Sequence, residues 1–521
     1  MPLTQPANPP DTQPNAGTED PGDARLATSL RPVSKDAFGE AHARHLLWRA
    51  GFGGTAEQVA LLVRWGPEKS VDHILNFDKV PGEPVAVDTF DRTIMRPPDR
   101  NEREMYRAAQ RAQDENKLAE LRKMRQDREQ ADRQQMAKIQ KWWLTRMIET
   151  PRPLEEKLTL FWHGHFATNY RTIENSYHMF MQNQMFRANA AGNFGDILHA
   201  IIKDPAMIAY LDNNDSRKGR PNENLAREIM ELFSLGVGNY TEKDIKEGAR
   251  ALTGYTFEDD DFVFQPRNHD NGEKRILGRS GNIKGEDFVD IILNQPACAR
   301  YISRKLYHYF VADVPTDERG GDKTLDPAQR AVLRQMADTL RVNRYALKPV
   351  LKRLFLSEHF YEPRFRNQQI KSPVVLIVGA IRSLNTPPRD LSILNDALDL
   401  MGQRIFFPPS VKGWDGGRSW INTSTLFVRQ NVLAFLLTGK KPQGFDPTAD
   451  TQRFDALAVL GEVRDPDAAV ERVLRVTLGQ SPSATAQALR EYLRSAGDRV
   501  TQETVTGMLL LATAAPEYQL C

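Results

Sequence analysis

The stretch Pro151–Phe166, PRPLEEKLTLFWHGHF, decides how the rest of the chain is read. Pro153 stands where a first helical turn tolerates proline, and Glu155 and Glu156 follow where a helix N-terminus favours negative charge. The stretch opens a helix and closes on two histidines, His163 and His165, separated by Gly164 and flanked by Phe161, Trp162 and Phe166. From here to about residue 255 the pattern stays helical, punctuated by AGNFGD, DNNDSRKGRPN and LGVGNYT.

The two histidines admit two readings. In a continuous helix, residues two apart point about 200° apart and do not share a ligand. In an extended segment they face one side. Gly164 lets the helix stop between them, which would bring both imidazoles together as the chain unwinds. The aromatic neighbours then form a dry wall that keeps an imidazole neutral and able to bind a metal. In the competing reading one histidine caps the helix end and the other is a satisfied core group.

Towards the N-terminus, residues 101–148 carry no Gly or Pro and read as one long charged helix. Its acids and bases are interleaved, which favours i,i+4 pairs and a solvated helix over a phosphate-binding face. Its last turns, KWWLTRMIET, are apolar and dock on the body. Further back, EAHARHLLWRAGFGGTAEQVALLVRW is helical with a glycine break at Gly51–Gly54 and Thr55 as an N-cap. Residues 1–37, rich in Pro, Gly, Asp, Asn and Thr, read as a disordered arm. They show no basic start followed by an apolar run, so a cytoplasmic location is expected from the sequence as written.

Towards the C-terminus, residues 256–285 alternate aromatic and polar residues between Gly and Asn turns and predict a short hairpin or an ordered loop. Helices follow through 327–360, 371–386 and 390–402. FFPPSVKGWDGGRSWINTSTL is a loop too rich in Pro and Gly for helix. The remainder is helical with a polar linker near 441–453. The fold class is mainly α: a large multi-helix body with long irregular loops and at most a small β-hairpin. A core at 38–440 and a C-terminal helical segment at 441–521 packed on it are expected.

Bulk properties remove several functions. The 521 residues exceed what one small core organises. A net charge of +2 gives no global field for nucleic acid or an anionic membrane. Two cysteines, Cys298 and Cys521, build neither a disulfide framework nor a cysteine zinc site. No stretch approaches the roughly 20 apolar residues that span a bilayer. G-x-S-x-G, P-loop, Rossmann and H-E-x-x-H motifs are absent, so serine-hydrolase and nucleotide-driven mechanisms have no local support.

Four further segments carry chemistry. In NENLAREIMEL, Pro221 and Asn222 mark a helix start. Glu223, Arg227 and Glu231 fall at i, i+4 and i+8, and Glu228 and Glu231 are i, i+3 neighbours. Beside two histidines these acids make a metal or acid–base set; alternatively they form a Glu–Arg–Glu ladder that Arg227 neutralises. In DNNDSRKG, the alternating oxygens of Asp212, Asn214 and Ser216 suggest a calcium loop, but Arg217 occupies the glycine position, which favours a polar turn. His269 and Asp270 lie on a loop that either closes over a pocket or forms a surface turn. Lys412, Trp414, Asp415, Arg418, Trp420 and Asn422 stand on a Gly-rich loop suited either to stacking on a sugar-like ligand or to wedging onto the helical body.

Taken in order, the blocks HLLWRAGFGGT, FWHGHFAT, YLDNNDSRKGRPNENLAREIMELFSLGVGNYTEKDIKEGARALTGY, SPVVLIVGAIRSL and FPPSVKGWDGGRSWINTSTL resemble the bacterial DUF 1800 family, a domain of unknown function. The resemblance runs from about residue 40 to the C-terminus. It implies an envelope or exported location in many relatives and, as a partner, a sulfatase-like protein encoded nearby. It also places His163, His165, Glu223, Arg227, Glu228 and Glu231 inside family motifs.

The reading that follows is an enzyme, hydrolase-like, acting on a polar or carbohydrate-like substrate. Its pocket would be lined by 161–169 and 212–231 and closed by the loops 258–275 and 408–424. His163, His165, Arg227 and Glu228 are the candidate catalytic residues. A divalent metal ion would be held by His163, His165, Glu228 and Glu231, with Arg227 on an anionic group. Asn222, Trp414, Arg418, Trp420 and Asn422 would contact substrate. The rival is a non-catalytic binding or assembly protein that uses the charged helix and the Trp-bearing loop. A third reading is an oxidative metal enzyme.

Overall fold

A computed structural model describes residues 28–81, 89–315, 324–441 and 452–521. The expected arm falls largely outside these residues. Its last part, 28–37, lies on the body: Val33 donates its amide to the Leu356 carbonyl at 2.8 Å, and Leu30 and Val33 are buried. The expected linker near 441–453 also lies mostly outside the described residues.

Helices dominate, and those that bear on the site are labelled in chain order. α1 (Glu40–Arg49) and α2 (Ala56–Leu75) are joined through the glycine turn, and Thr55 and Gln58 exchange the two hydrogen bonds of a capping box. The expected single charged helix is two helices, α3 (Arg100–Ala112) and α4 (Glu115–Glu149). Gln113 ends α3 in the left-handed region at φ 50°, and the Asp114 carboxylate caps α4 by accepting the Lys117 amide at 3.0 Å. An N-cap carboxylate competes with continued helix, and here it wins. α3 folds back on α4, with Glu102 paired to Arg128.

α5 (Pro153–His165) is the central element, buried along its length apart from Pro153 and Gly164. Two apolar cores meet on it. Leu154, Leu158, Phe161 and Trp162 pack into one, with Ile229 and Leu351; Leu160 packs into the other, with Trp143 and Leu509. Its buried charge is matched. Glu156 is fully buried and accepts the Trp143 indole N–H at 2.9 Å and Arg187 Nε at 2.8 Å, and it also pairs with Arg146. A buried carboxylate with this set of donors is sustainable; one without them would not be. These partners tie α4 and α6 (Ser176–Ala188) to α5.

α7 (Asn224–Glu228) runs directly into a π-helical turn over Ile229–Ser234, in which the Leu235 amide donates to the Met230 carbonyl at 2.9 Å. Two antiparallel hairpins follow where a short hairpin or an ordered loop was expected: β1 (Tyr255–Glu258) with β2 (Asp261–Phe264), and β3 (Lys274–Ile276) with β4 (Arg279–Gly281). α8 (Pro296–Phe310) returns to the body. α9 (Pro373–Leu384), α10 (Thr423–Thr438) and α11 (Gln502–Ala514) build the second core, where Leu433 and Leu436 share a cluster with Val505 and Leu509. A side chain at Gly379 would overlap the Trp48 ring, so this glycine seats α1 against α9. The last residues pair back onto the segment ahead of α9, with the Cys521 amide donating to the Gln369 carbonyl at 2.9 Å. Among the described residues no helix is long and apolar enough to cross a membrane.

Candidate functional site

Where the two cores part, a cleft of about 810 Å³ opens beside the end of α5. That is the size of a small-molecule site. Phe161, Gly164 and His165 of α5 form one wall, and Glu231 and Leu232 of the π turn adjoin them. α8 presents Tyr301, Lys305, His308 and Tyr309, a stripe at i, i+4, i+7 and i+8. Trp48 and Arg49 at the end of α1, with Lys157 and Lys371, make the inner wall. Trp414, Arg418 and Trp420 come from the loop before α10.

α5 does not unwind at Gly164. It continues through His165, so the two imidazoles leave the helix in different directions and the expected convergence does not occur. His163 is buried between Trp143, Phe406 and Trp414, and its Nε2 accepts the Phe406 amide at 3.0 Å. Phe406 has φ 69°, a strained conformation for a bulky residue, and its carbonyl accepts the Tyr170 amide at 3.1 Å. His163 thereby fixes the loop that carries Trp414. Gly413 completes the attachment: at φ 82°, any side chain there would overlap the Gly164 carbonyl.

His165 faces the cleft. Its Nε2–H donates to the Phe233 carbonyl at 2.9 Å, and its Nδ1 is buried with no partner among the described residues. Burial, with Lys305 adding to it, pushes the imidazole down to about 3, and the same desolvation pushes His163 down to about 3. Both rings are neutral at physiological pH. Fixing the proton on Nε2 leaves a lone pair on Nδ1 of His165.

The acids separate as well. A π turn holds one extra residue per turn, which carries Glu231 out of the stripe expected with Arg227. Glu231 lines the cleft and accepts the Tyr240 hydroxyl at 2.7 Å. Arg227 pairs with Glu223 at 3.2 Å and Glu242 at 2.9 Å on a partly exposed surface and is not part of the cleft wall. The i, i+4 pairing with Glu223 is the first rung of the ladder that competes with a ligand role. Glu228 is half-buried outside the wall, and its carboxyl is raised by burial and by the neighbouring Glu231. The four expected metal ligands therefore do not gather: His165 and Glu231 share the cleft, while His163 and Glu228 do not line it. Among the described residues no group of three or more His, Cys, Asp or Glu side chains is placed to hold an ion.

Other expected contacts are local. Asn222 accepts the Asn224 amide at 2.9 Å and donates to the Asp212 carbonyl at 3.0 Å, fixing the turn ahead of α7. Asn422 caps α10 by accepting the Thr425 amide at 2.9 Å. Asp212 lies in the left-handed region at φ 54° within a polar turn. The 258–275 segment does not line the cleft: His269 contacts the Thr253 carbonyl at 2.8 Å and Asp270 pairs with Arg250 at 2.8 Å. Trp414, Arg418 and Trp420, in contrast, do reach the cleft.

A family model described as "Protein of unknown function (DUF1800)" matches residues 45–520. The chain belongs to the DUF1800 family. No curated protein and no solved structure matches it. In this DUF1800 protein the block FWHGHFAT meets the distant block FPPSVKGWDGGRSWINTSTL through the Gly164–Gly413 approach, and the Phe406 that immediately precedes that block through the His163–Phe406 hydrogen bond.

Proposed function

We propose that this DUF1800 protein is an enzyme that takes a polar, carbohydrate-like substrate into the cleft and uses His165 Nδ1 as a proton acceptor. The single observation behind this reading is that nitrogen: buried, without a partner among the described residues, and carried by a side chain that lines a cleft of about 810 Å³. An orphaned polar atom costs stability unless something occupies its lone pair part of the time. Glu231, which accepts the Tyr240 hydroxyl, is a carboxylate that lines the same cleft. Trp414 and Trp420 offer rings for stacking, and Tyr301 adds a third. A hydrolytic step fits this set, with His165 drawing a proton from a bound water and Glu231 serving as the second acid–base group. Were a divalent ion bound instead, His165 and Glu231 are the two expected ligands that line the cleft; the ion would polarise a bound water, and His165 would then not be the proton acceptor.

The test is turnover of a panel of chromogenic glycosides and esters by wild type, His165→Gln and Glu231→Gln, with and without chelator. His165→Gln is expected to lower kcat by about 10²-fold or more while substrate still binds. Wild-type turnover by this variant would overturn the proposal.

One observation favours the assembly reading as a second possibility. The α3–α4 hairpin exposes Met105 (40%), Tyr106 (47%) and Met124 (40%), more apolar surface than a merely solvated helix needs. A partner such as the sulfatase-like protein would dock there. Removing the hairpin should abolish co-purification of that partner, whereas His165→Gln should not.

A further inference from the structure

The cleft holds more buried positive charge than the proposed acid–base step uses. Arg49 is 2% exposed, and among the described residues its Nε and Nη1 are buried without partners, while Nη2 donates to the Phe365 carbonyl at 2.7 Å. Lys157 is 5% exposed and rests between the rings of Phe52, 5.2 Å away, and Tyr309, 5.6 Å away. Lys305, half-buried, lies 5.3 Å from the ring of Tyr301, on the α8 stripe next to His165. Among the described residues neither lysine has a hydrogen-bond acceptor or a carboxylate within ion-pair distance. Lys371 is engaged: it donates to the Tyr518 carbonyl at 2.6 Å and sits against Trp48 and Tyr518.

Buried unpaired cations are costly, and a site that keeps them is poised for an anion. We propose that Lys157 and Lys305, backed by Arg49, form a subsite for an oxyanion group — carboxylate, sulfate or phosphate — and that the substrate taken by the cleft carries one. This rests on the cleft being a substrate site, as argued above, but not on the role given to His165.

The surroundings support the assignment. Burial lowers Lys157 to about 8 and Lys305 to about 8. Facing Lys157 are Arg49, Tyr309 and Cys521; Cys521 also neighbours Arg49 and Lys371. Facing Lys305 are His165, His308 and Tyr301. The acids of the cleft, Glu231, Asp313 and Asp415, are not within ion-pair distance of either lysine, and Asp313 lies 3.2 Å from His308. An anion bound beside these lysines favours their charged forms, so binding takes up protons and weakens as pH rises through about 8.

The experiment is thermal unfolding of the full chain with inorganic sulfate, inorganic phosphate, glucuronate or glucose, each matched in ionic strength with sodium chloride, at pH 6.5 and pH 9. Wild type, Lys157→Met, Lys305→Met and His165→Gln are compared. Methionine keeps the volume and removes a buried charge at Lys157 and a half-buried one at Lys305, so both lysine variants are expected to melt no lower than wild type. Oxyanions should raise the wild-type melting temperature at pH 6.5, less at pH 9, and glucose alone should not. Each lysine variant should bind the oxyanion at least about tenfold more weakly. Tighter binding of glucuronate than of free phosphate or sulfate assigns the anion to a sugar; the reverse assigns it to the free ion. His165→Gln should retain the oxyanion effect, so its loss of turnover and the loss of anion binding are separable. Equal stabilisation by chloride and the oxyanions, or an unchanged oxyanion effect in both lysine variants, overturns the proposal.

Discussion

His163 accepts a main-chain amide from Phe406, 243 positions away, and no local pattern in the sequence reveals such a partner. The aromatic setting and a buried neutral imidazole were readable from FWHGHF; the identity of the group on Nε2 was not. His163→Leu leaves the Phe406 N–H buried and unpaired, which should cost about 1–3 kcal/mol, measured as a lower urea midpoint. His163→Gln, able to accept the same amide, should recover part of that loss. The two histidines also set an acid limit. Each has a folded value near 3, lowered by burial, against an unfolded value of 6.5. Between those values the unfolded chain binds more protons, so stability rises with pH and is lost as pH falls from about 6.5 towards 3. The contribution is on the order of a few kcal/mol per ring. Urea midpoints of His163→Gln between pH 4 and pH 7 should vary less steeply with pH than those of wild type.

Periodicity and end signals made most helices legible, including Pro153 opening α5 and Thr55 capping α2. Two elements escaped that reading. The break between α3 and α4 rests on Asp114, a cap hidden in a run of charged residues where every position also suits a helix. The π turn is set by one extra residue in the hydrogen-bond ladder, which a 3.6-residue pattern does not register, so the acid placed on a stripe with Arg227 faces the cleft instead. The loop before α10 was legible as irregular, and the reason for its glycines appears only in contact. Gly413→Ala combines a left-handed backbone with overlap on the Gly164 carbonyl. It should cost about 1–3 kcal/mol in backbone strain alone and displace Trp414 from the cleft. A lower melting temperature with weakened ligand binding is the expected result, read by calorimetry and by Trp fluorescence on ligand addition.

Across the whole molecule, α5 belongs to both apolar cores, so neither keeps its packing when the other opens. Far-UV circular dichroism and Trp fluorescence should therefore report coincident denaturant transitions; two separated transitions would show that the cores unfold independently. The cleft between them gathers Arg49, Lys157, Lys305 and Lys371 from four distant segments. Each alone reads as an ordinary surface cation in the sequence, and the near-zero net charge conceals them together. Only the Tyr301, Lys305, His308, Tyr309 stripe within one helix left a local signal. The central claim is that His165 presents an unprotonated Nδ1 to this cleft. The most direct measurement is the ¹⁵N imidazole spectrum of histidine-labelled protein at pH 5 to 8, with His165 assigned by comparison with His165→Gln. The expected result is a neutral ring throughout, protonated on Nε2, whose Nδ1 signal moves when a ligand enters the cleft. A ring protonated on Nδ1, or an imidazolium already formed at pH 6, would contradict the account.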